Sequence, residues 1–254
     1  MNNRRSFITG IKSTKLSTLE KKFLKKYKPW GVILFSRNIQ NIKQTLKLTT
    51  SIRKIFNDKK YPILIDQEGG RVNRLKNIIA FDNLTSEFFG KIFIKDYKEF
   101  IFFYKLFVDK TSYLLKSIGV NINTSPVLDL RIKGKSNVIG DRAFSGDPKI
   151  VSKIGDHCIK YFHQNGIGTV IKHIPGHGLA KVDSHFFTPI INKKKEYLFK
   201  KDFIAFKNKK SFFAMTAHII FNKIDDKNTV THSRKLIKLI KNKIRFKNIL
   251  ISDD

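Results

Sequence analysis

Short apolar runs alternate with amphipathic segments along the whole chain. Buried strands are predicted near residues 6, 31, 62, 120, 168, 212 and 248. The segments between them carry apolar residues at helical spacing, for example in Lys15–Tyr27, Asn41–Phe56 and Ser233–Phe246. Strands that alternate with helices at this spacing favour parallel pairing through helical crossovers. The pattern therefore predicts an α/β fold, a (β/α)8 TIM-type barrel of which about seven strands are present.

Further helices are predicted from Asp147 to about Asn165 and around Lys193–Lys207. Asp147 and Pro148 are typical of a helix start, since aspartate caps the first turn and proline is tolerated there. The Phe-rich segment Glu87–Ile118 is predicted to form one or two helices. We expect its aromatic side chains to fill the core, namely Phe88, Phe89, Phe93, Phe102, Phe103 and Phe107.

The chain of 254 residues is long enough to bury one large core, and single α/β barrels commonly reach this size. Because no linker divides the sequence, we expect residues 1–254 to form a single barrel domain. An eight-stranded barrel would need a further strand and helices after Asp254. We therefore expect the barrel to be incomplete at its C-terminus.

The chain is strongly basic, with 51 Lys and Arg against 20 Asp and Glu and a formal net charge of +31. Such a charge is typical of proteins that bind nucleic acid. The lysines are spread along every predicted helix, however, which favours a general compositional bias, and we predict no nucleic-acid partner. No apolar stretch approaches the ~20 residues of a membrane span, and the N-terminus lacks a signal-peptide core. We expect a cytoplasmic protein without a membrane partner.

The densest cluster of functional groups lies in Gly166–His185, GIGTVIKHIPGHGLAKVDSH. Its apolar run Thr169–Ile171 predicts a buried strand, and the proline and glycines that follow predict a loop. Lys172 and His173 stand at the end of this strand. A strand end that leads into a glycine-rich loop is where α/β enzymes present functional groups.

The same loop ends in a candidate acid–base pair. Asp183 stands two residues before His185, and this spacing lets a carboxylate orient an imidazole and raise its basicity. A metal-dependent hydrolase is an alternative, because four histidines could supply nitrogen ligands: His173, His177, His185 and His218. The first two are four residues apart as in a zinc-binding helix, but the intervening Pro175 and Gly176 prevent such a helix.

Taken together, KHIPGHG and the DSH that follows it resemble the signature of family 3 glycoside hydrolases. Within that family they resemble the bacterial β-N-acetylhexosaminidases of peptidoglycan recycling. Further matching motifs occur in the order of the family across nearly the whole chain: GVILFSRNI at 31–39, IDQEGGRVNR at 65–74, SPVLD at 125–129, IGDRAF at 139–144, MTAH at 215–218 and SDD at 252–254.

The resemblance implies a retaining exo-β-N-acetylglucosaminidase that releases terminal β-linked N-acetylglucosamine from muropeptides. It implies Asp253 as the nucleophile that forms a covalent glycosyl-enzyme and His185 as the acid/base, with Asp183 orienting this histidine. Neighbouring residues on a strand face opposite ways, so the pattern alone does not choose between Asp253 and Asp254. The resemblance selects Asp253.

The resemblance also implies a set of sugar-binding residues: Asp66, Arg74, Arg142, Lys172 and His173. Each has a plainer interpretation, in which Asp66 pairs with Arg71 or Arg74, Lys172 forms an ion pair at the barrel rim, and Arg142 is solvated. His177 and His218 are expected to fix loops by hydrogen bonds. We expect a monomer whose partner is a small carbohydrate, with no cofactor and no metal.

Two further functions remain open on the sequence. Family 3 also includes β-glucosidases, although the KHIPGHG and DSH loop favours the N-acetylglucosaminidase branch. A non-catalytic protein is the other alternative, either a carbohydrate-binding fragment or a nucleic-acid-binding protein, and the basic charge and the expected incomplete C-terminus favour it.

Overall fold

The computed structural model describes residues 4–132, 137–180, 182 and 187–253. Its strands are β1 (Arg5–Gly10), β2 (Pro29–Leu34), β3 (Ile63–Ile65), β4 (Ile122–Asn123), β5 (Gly168–Ile174), β6 (Ile190–Ile191), β7 (Phe213–Thr216), β8 (Ile220–Phe221) and β9 (Ile249–Ser252). Seven of them form one parallel sheet in the order β1-β2-β3-β4-β5-β7-β9. The predicted parallel α/β architecture with about seven strands is confirmed.

The helices are α1 (Thr18–Tyr27), α2 (Ile42–Phe56), α3 (Ser86–Lys95), α4 (Tyr97–Ser117), α5 (Pro148–Gln164), α6 (Lys195–Lys200) and α7 (Arg234–Leu239). Shorter 3-10 turns lie at Ser36–Asn38, Gly140–Arg142 and Asp202–Phe206, and α7 continues into a π-helical turn at Ile240–Ile244. None of the described helices combines the length and the apolar character that crossing a bilayer requires.

Side-chain caps decide where the helices begin. The Ser17 hydroxyl accepts a hydrogen bond from the backbone N–H of Glu20 at 3.1 Å, and the Glu20 carboxylate accepts one from the backbone N–H of Ser17 at 2.8 Å. Helix α1 therefore starts at Thr18, three residues after the predicted start at Lys15. Asp147 caps α5 through the N–H of Lys149, as predicted. Asp96 caps α4 in the same way, and this cap divides the Phe-rich segment into two helices.

The strands alternate between two faces of the sheet. In β3, Ile63 and Ile65 point outward into the main core, where they meet apolar helix residues such as Leu115 and Cys158. Leu64 points inward and packs with the smaller inner cluster, which comprises Ile122 and Val170 together with Ile8, Trp30, Ile33, Phe213, Met215 and Ile251. Residues from the two edge strands, β1 and β9, therefore share the inner cluster. The sheet must curl for this to happen.

Some expectations from the pattern were wrong. Phe102 is 65% exposed, and Phe103 is also exposed, because the buried stripe of α4 runs along Phe100, Tyr104 and Val108. Phe88 is exposed on α3, whose buried residues are Phe89 and Gly90. The single helix predicted around Lys193–Lys207 is broken at Lys201, whose backbone is not helical, and a 3-10 turn follows. The two-residue strands β6 and β8 pair in parallel and are too short to show in the pattern.

Candidate active site

A cavity of about 670 Å³ opens inside the curled sheet. Its apolar wall comes from the inner cluster, including Trp30, Leu64 and Met215, and its polar side gathers residues from the carboxyl ends of several strands. In parallel α/β folds these ends are where ligands bind. The polar lining includes Asp66, Arg74, Arg142, Lys172, His173 and Asp253. The structure thus brings together six of the eight residues that the sequence singled out.

Asp66 follows β3 and is held by three donors. Its Oδ1 accepts a hydrogen bond from the Thr124 hydroxyl at 2.9 Å and a short one from Lys172, and its Oδ2 accepts one from Arg74 at 3.0 Å. The ion pairs that the sequence offered as the plainer interpretation of Asp66 and Lys172 are therefore present. Asp66 and Lys172 also line the cavity, so these ion pairs fix the direction in which the two side chains face it.

Glu68 joins the same network from two residues further along. It accepts two hydrogen bonds from Arg142 at 2.8 Å each, in the bidentate geometry that guanidinium groups favour, and its Oε1 lies 2.6 Å from Lys172 Nζ. Arg142 is 14% exposed at its side chain, so it is not the solvated loop arginine of the plainer interpretation. Two carboxylates and three cations, Arg74 included, form one buried cluster.

The cluster fixes the charge of its members. Burial alone would raise the pKa of Asp66, but Lys172 and then Arg74 outweigh it and hold the pKa well below its ordinary value. Burial is likewise overcome at Glu68, whose pKa Arg142 and Lys172 lower. Burial lowers the pKa of Lys172, and the two carboxylates raise it beyond that loss. All three groups are therefore charged near pH 7.

A buried aspartate, Asp129, organises the loop that follows β5. Its Oδ2 accepts the Nδ1–H of His173 at 2.6 Å, and its Oδ1 accepts the backbone N–H of His177 at 2.6 Å. Burial alone would raise the pKa of Asp129, but the neighbouring His173 outweighs burial and lowers this pKa below its ordinary value, so the carboxylate stays ionised. Because Nδ1 of His173 is directed at Asp129, Nε2 is the ring nitrogen that remains to face the cavity.

Asp253 follows β9 and lies beside this histidine. Its Oδ2 is 3.9 Å from His173 Nε2, and its side chain is 11% exposed. The backbone carbonyl of Asp253 accepts the Nε2–H of His218 at 3.1 Å, and His218 Nδ1 lies 3.3 Å from the Thr231 hydroxyl. His218 therefore fixes the chain that carries Asp253, in agreement with its expected structural role.

His177 also agrees with its expected role in fixing the loop. Its backbone N–H makes the bond to Asp129 described above, and its ring stacks edge-on to His173 with ring centroids 5.5 Å apart. Burial, with a smaller contribution from His173, lowers the pKa of His177 to about 4. The ring is therefore neutral near pH 7.

The two remaining predicted residues, Asp183 and His185, lie outside the described residues. Conversely, no role was predicted for Glu68 or Asp129, although these residues lie in the motifs IDQEGGRVNR and SPVLD. Their partners are 74 and 44 residues away in the chain, so local spacing carries no signal of these pairs. Within the described part of the chain, no three His, Cys, Asp or Glu side chains are grouped so as to hold a metal ion.

Comparisons with known proteins agree with this geometry. Residues 7–254 match the model of the glycosyl hydrolase family 3 N-terminal domain. A protein of Hydrogenovibrio crunogenus named β-hexosaminidase is 33% identical over 97% of this chain and 69% of its own length.

Two solved structures share the fold. NagZ of Neisseria gonorrhoeae, in complex with N-trifluoroacetyl-D-glucosamine, aligns with a TM-score of 0.89 and 28% identity, covering 99% of this chain and 74% of its own. A family 3 β-N-acetylglucosaminidase of a Paenibacillus species aligns with a TM-score of 0.86 and 26% identity, covering 97% of this chain and 47% of its own. The extent of the family match and the identity to the Hydrogenovibrio protein show that the chain belongs to glycosyl hydrolase family 3.

Proposed function

We propose that the protein is a retaining exo-β-N-acetylglucosaminidase that removes terminal β-linked N-acetylglucosamine from peptidoglycan-derived muropeptides. The names of the Hydrogenovibrio and Paenibacillus relatives support hydrolysis of N-acetylhexosaminides. The sugar derivative bound to the gonococcal protein supports an N-acylated glucosamine as the occupant of the cavity. We further propose that residues 1–254 act as one barrel domain, in the cytoplasm, where muropeptides are recycled.

The observation that carries the proposal is the contrast between the two carboxylates that line the cavity. Asp66 already accepts hydrogen bonds from Arg74, Thr124 and Lys172, which occupy three of the about four acceptor sites of a carboxylate. Asp253 lies at the end of a strand, with a carboxylate oxygen 3.9 Å from the His173 imidazole. These positions support our assignment of Asp253, beside His173, to the attack on the anomeric carbon, and of Asp66, within the charged cluster, to the binding of sugar hydroxyls.

The chemistry then runs in two displacements. An Asp253 oxygen forms a bond to C1 while the glycosidic bond breaks, and the electron pair goes to the leaving oxygen, which takes a proton from His185. Water next attacks C1, gives its proton to His185, and releases the Asp253 carboxylate with the β configuration restored. An imidazole, whose unperturbed pKa is about 6.5, suits both proton transfers, and Asp183 would orient it.

The charged cluster provides hydrogen bonds that bind the sugar. Arg74, Arg142 and Lys172 can donate hydrogen bonds to hydroxyl oxygens, and the Asp66 carboxylate can accept them from hydroxyl groups. The Nε2 atom of His173 faces the same space and can form one more hydrogen bond to a hydroxyl group. Since the cluster is held by its own ion pairs, it needs little reordering when the substrate arrives.

Proton NMR of the protein incubated with an aryl N-acetyl-β-glucosaminide tests the proposal. The β-anomer of N-acetylglucosamine should appear first, and an aryl β-glucoside should react far more slowly. Initial α-anomer would overturn the retaining mechanism, and faster hydrolysis of the glucoside would overturn the substrate assignment. Binding of N-acetylglucosamine without turnover would favour a carbohydrate-binding protein.

A further inference from the structure

A buried aspartate, Asp202, lies beneath the loop that follows β5. Asp202 opens the 3-10 turn Asp202–Phe206 and is 1% exposed. Neither of its carboxyl oxygens accepts a hydrogen bond from any residue that the structure describes. Buried polar groups are nearly always bonded, so such a group in a native protein requires an explanation.

The loop rests directly on this side chain. A Cβ added to Gly176 would lie 2.4 Å from Asp202 Cβ, and one added to Gly178 would lie 3.0 Å from Asp202 Oδ1. Gly176 also has a φ of +145°, which side-chain-bearing residues rarely adopt. The two glycines of the PGHG motif are therefore required where the loop crosses Asp202, and the carboxyl group is part of the surface that supports the loop.

The surroundings favour the neutral acid. Burial, and then the negative charge of Asp129, raise the pKa of Asp202 to about 7, and the nearby N–H of its own backbone and then Lys201 oppose them more weakly. The turn packs against α5, α6, the π-helical turn and β5. The first three contribute apolar or neutral buried side chains: Val151, Ile154, Cys158, Ile159, Tyr161, Phe162, Leu198, Ile240 and Ile244. The fourth, β5, carries Lys172, which is paired with Asp66 and Glu68, and His173, which is bonded to Asp129. Among the described residues, no cation is therefore bonded to Asp202, since the buried Lys172 is paired with other carboxylates.

Asp202 is connected to the candidate site through Asp129. Asp129 holds the His173 ring and the backbone of His177, and it carries the charge that Asp202 would meet on losing its proton. Ionised Asp202 would be a second buried anion facing the first, without a bonded partner of its own. The arrangement can relieve this cost by letting the loop move away so that water reaches the carboxylate.

We propose that Asp202 is a positioning residue that supports the loop of residues 175–180 only as a neutral carboxylic acid, so that loss of its proton loosens the loop and slows turnover. The part of the proposal that concerns turnover rests on the hydrolase activity proposed above. The part that concerns the loop stands without it.

The first test compares pH profiles of kcat and KM for the wild type, Asp202→Asn, and the exposed control Asp226→Asn. Asparagine keeps the shape and stays neutral, so the ratio of kcat for Asp202→Asn to that of the wild type should rise about threefold or more between about pH 6 and pH 8.5. KM should change less than kcat. The ratio for the control should stay constant. Profiles of the same shape for wild type and Asp202→Asn would overturn the proposal.

The second test needs no activity. Hydrogen–deuterium exchange of a peptide that spans residues 174–180, corrected for intrinsic exchange rates, should show protection in the wild type that falls between about pH 6 and pH 8.5. In Asp202→Asn the protection should be retained. Wild-type protection that does not depend on pH would overturn the proposal even if the variant did not fold. Loss of protection in a protein that hydrolyses no substrate would support this inference while the proposed function failed.

Discussion

Residues only four apart on one segment contact two opposite kinds of buried carboxylate. Lys172 bridges Asp66 and Glu68, where cations outweigh burial and keep both groups ionised. Gly176 rests on Asp202, where burial meets no bonded cation among the described residues and favours the acid. The same functional group therefore serves as a fixed anion in the cavity and as a titratable support beneath the loop. The difference lies in the neighbours and not in the residue type.

The largest effect on turnover should come from Asp253, which belongs neither to the charged cluster nor to the support beneath the loop. Asp253→Ala should lower kcat by roughly three orders of magnitude or more, because it removes the carboxylate that we propose forms the bond to C1. Asp183→Ala should lower it less, since the imidazole of His185 remains. Steady-state kinetics with an aryl N-acetyl-β-glucosaminide measures both. Near-wild-type rates for Asp253→Ala would contradict the assignment of Asp253, and not Asp66, as the nucleophile.

Removing the cation from the paired carboxylates should destabilise the protein. Lys172→Met leaves Asp66 and Glu68 with one fewer partner in a buried place, which should cost about 3–5 kcal/mol in the free energy of unfolding. Urea denaturation measures this loss, with the exposed Lys21→Met as the control. A loss below about 1 kcal/mol would show that the arginines alone neutralise the cluster.

The unpaired carboxyl should reveal itself in how stability depends on pH. An unfolded aspartate has a pKa near 3.9, so between about pH 4 and pH 7 the folded protein keeps a proton on Asp202 that the unfolded chain has lost. The contribution of Asp202 to the free energy of unfolding therefore falls by at most about 4 kcal/mol as the pH rises across that window. Above the window this contribution is constant.

Asp202→Asn should abolish this fall, which urea denaturation at about pH 4.5 and pH 7.5 measures. The lowered pKa values of Asp66, Glu68 and Asp129 act with the opposite sign. Their contributions are present above the unfolded pKa and are lost as the pH falls below it, so they change little between these two values. Equal pH dependence in wild type and variant would contradict the assignment.

The smallest effect should come from the rim of the cluster. Arg74 is 29% exposed at its side chain and donates a hydrogen bond to Asp66 at 3.0 Å. Arg74→Gln should raise KM by about tenfold with a smaller change in kcat, because it removes a charged donor to a sugar hydroxyl. Arg234→Gln, far along the chain in α7, is the control. An unchanged KM would place Arg74 outside the sugar-binding set.

The fold could be predicted because each strand is a short apolar run and each helix has its own periodicity. The errors are local. Thr18 begins α1 because Ser17 caps it, and β6 and β8 have only two residues each. Phe102 faces away from the core because a helix buries only one stripe of an aromatic-rich segment. Neither capping nor the direction of a helix face is fixed by composition.

The site was predictable only where the chain itself brings residues together. Lys172 and His173 stand at a strand end, and family-like motifs mark Asp66, Arg142 and Asp253. Glu68 and Asp129 acquire their roles from partners far away in the chain, which spacing cannot show. Asp202 lies in a lysine-rich segment that resembles an ordinary helix. Its burial depends on the break at Lys201 and on the loop of another element.

The most direct test of Asp253 as the nucleophile is to find which carboxylate becomes glycosylated. The protein would be mixed with an aryl N-acetyl-β-glucosaminide, quenched in acid within the first turnover, and digested for mass spectrometry. We expect an N-acetylglucosaminyl group on the peptide that contains Asp253, and none in Asp253→Ala. A sugar attached to Asp66, or turnover in a single displacement without any adduct, would contradict the account.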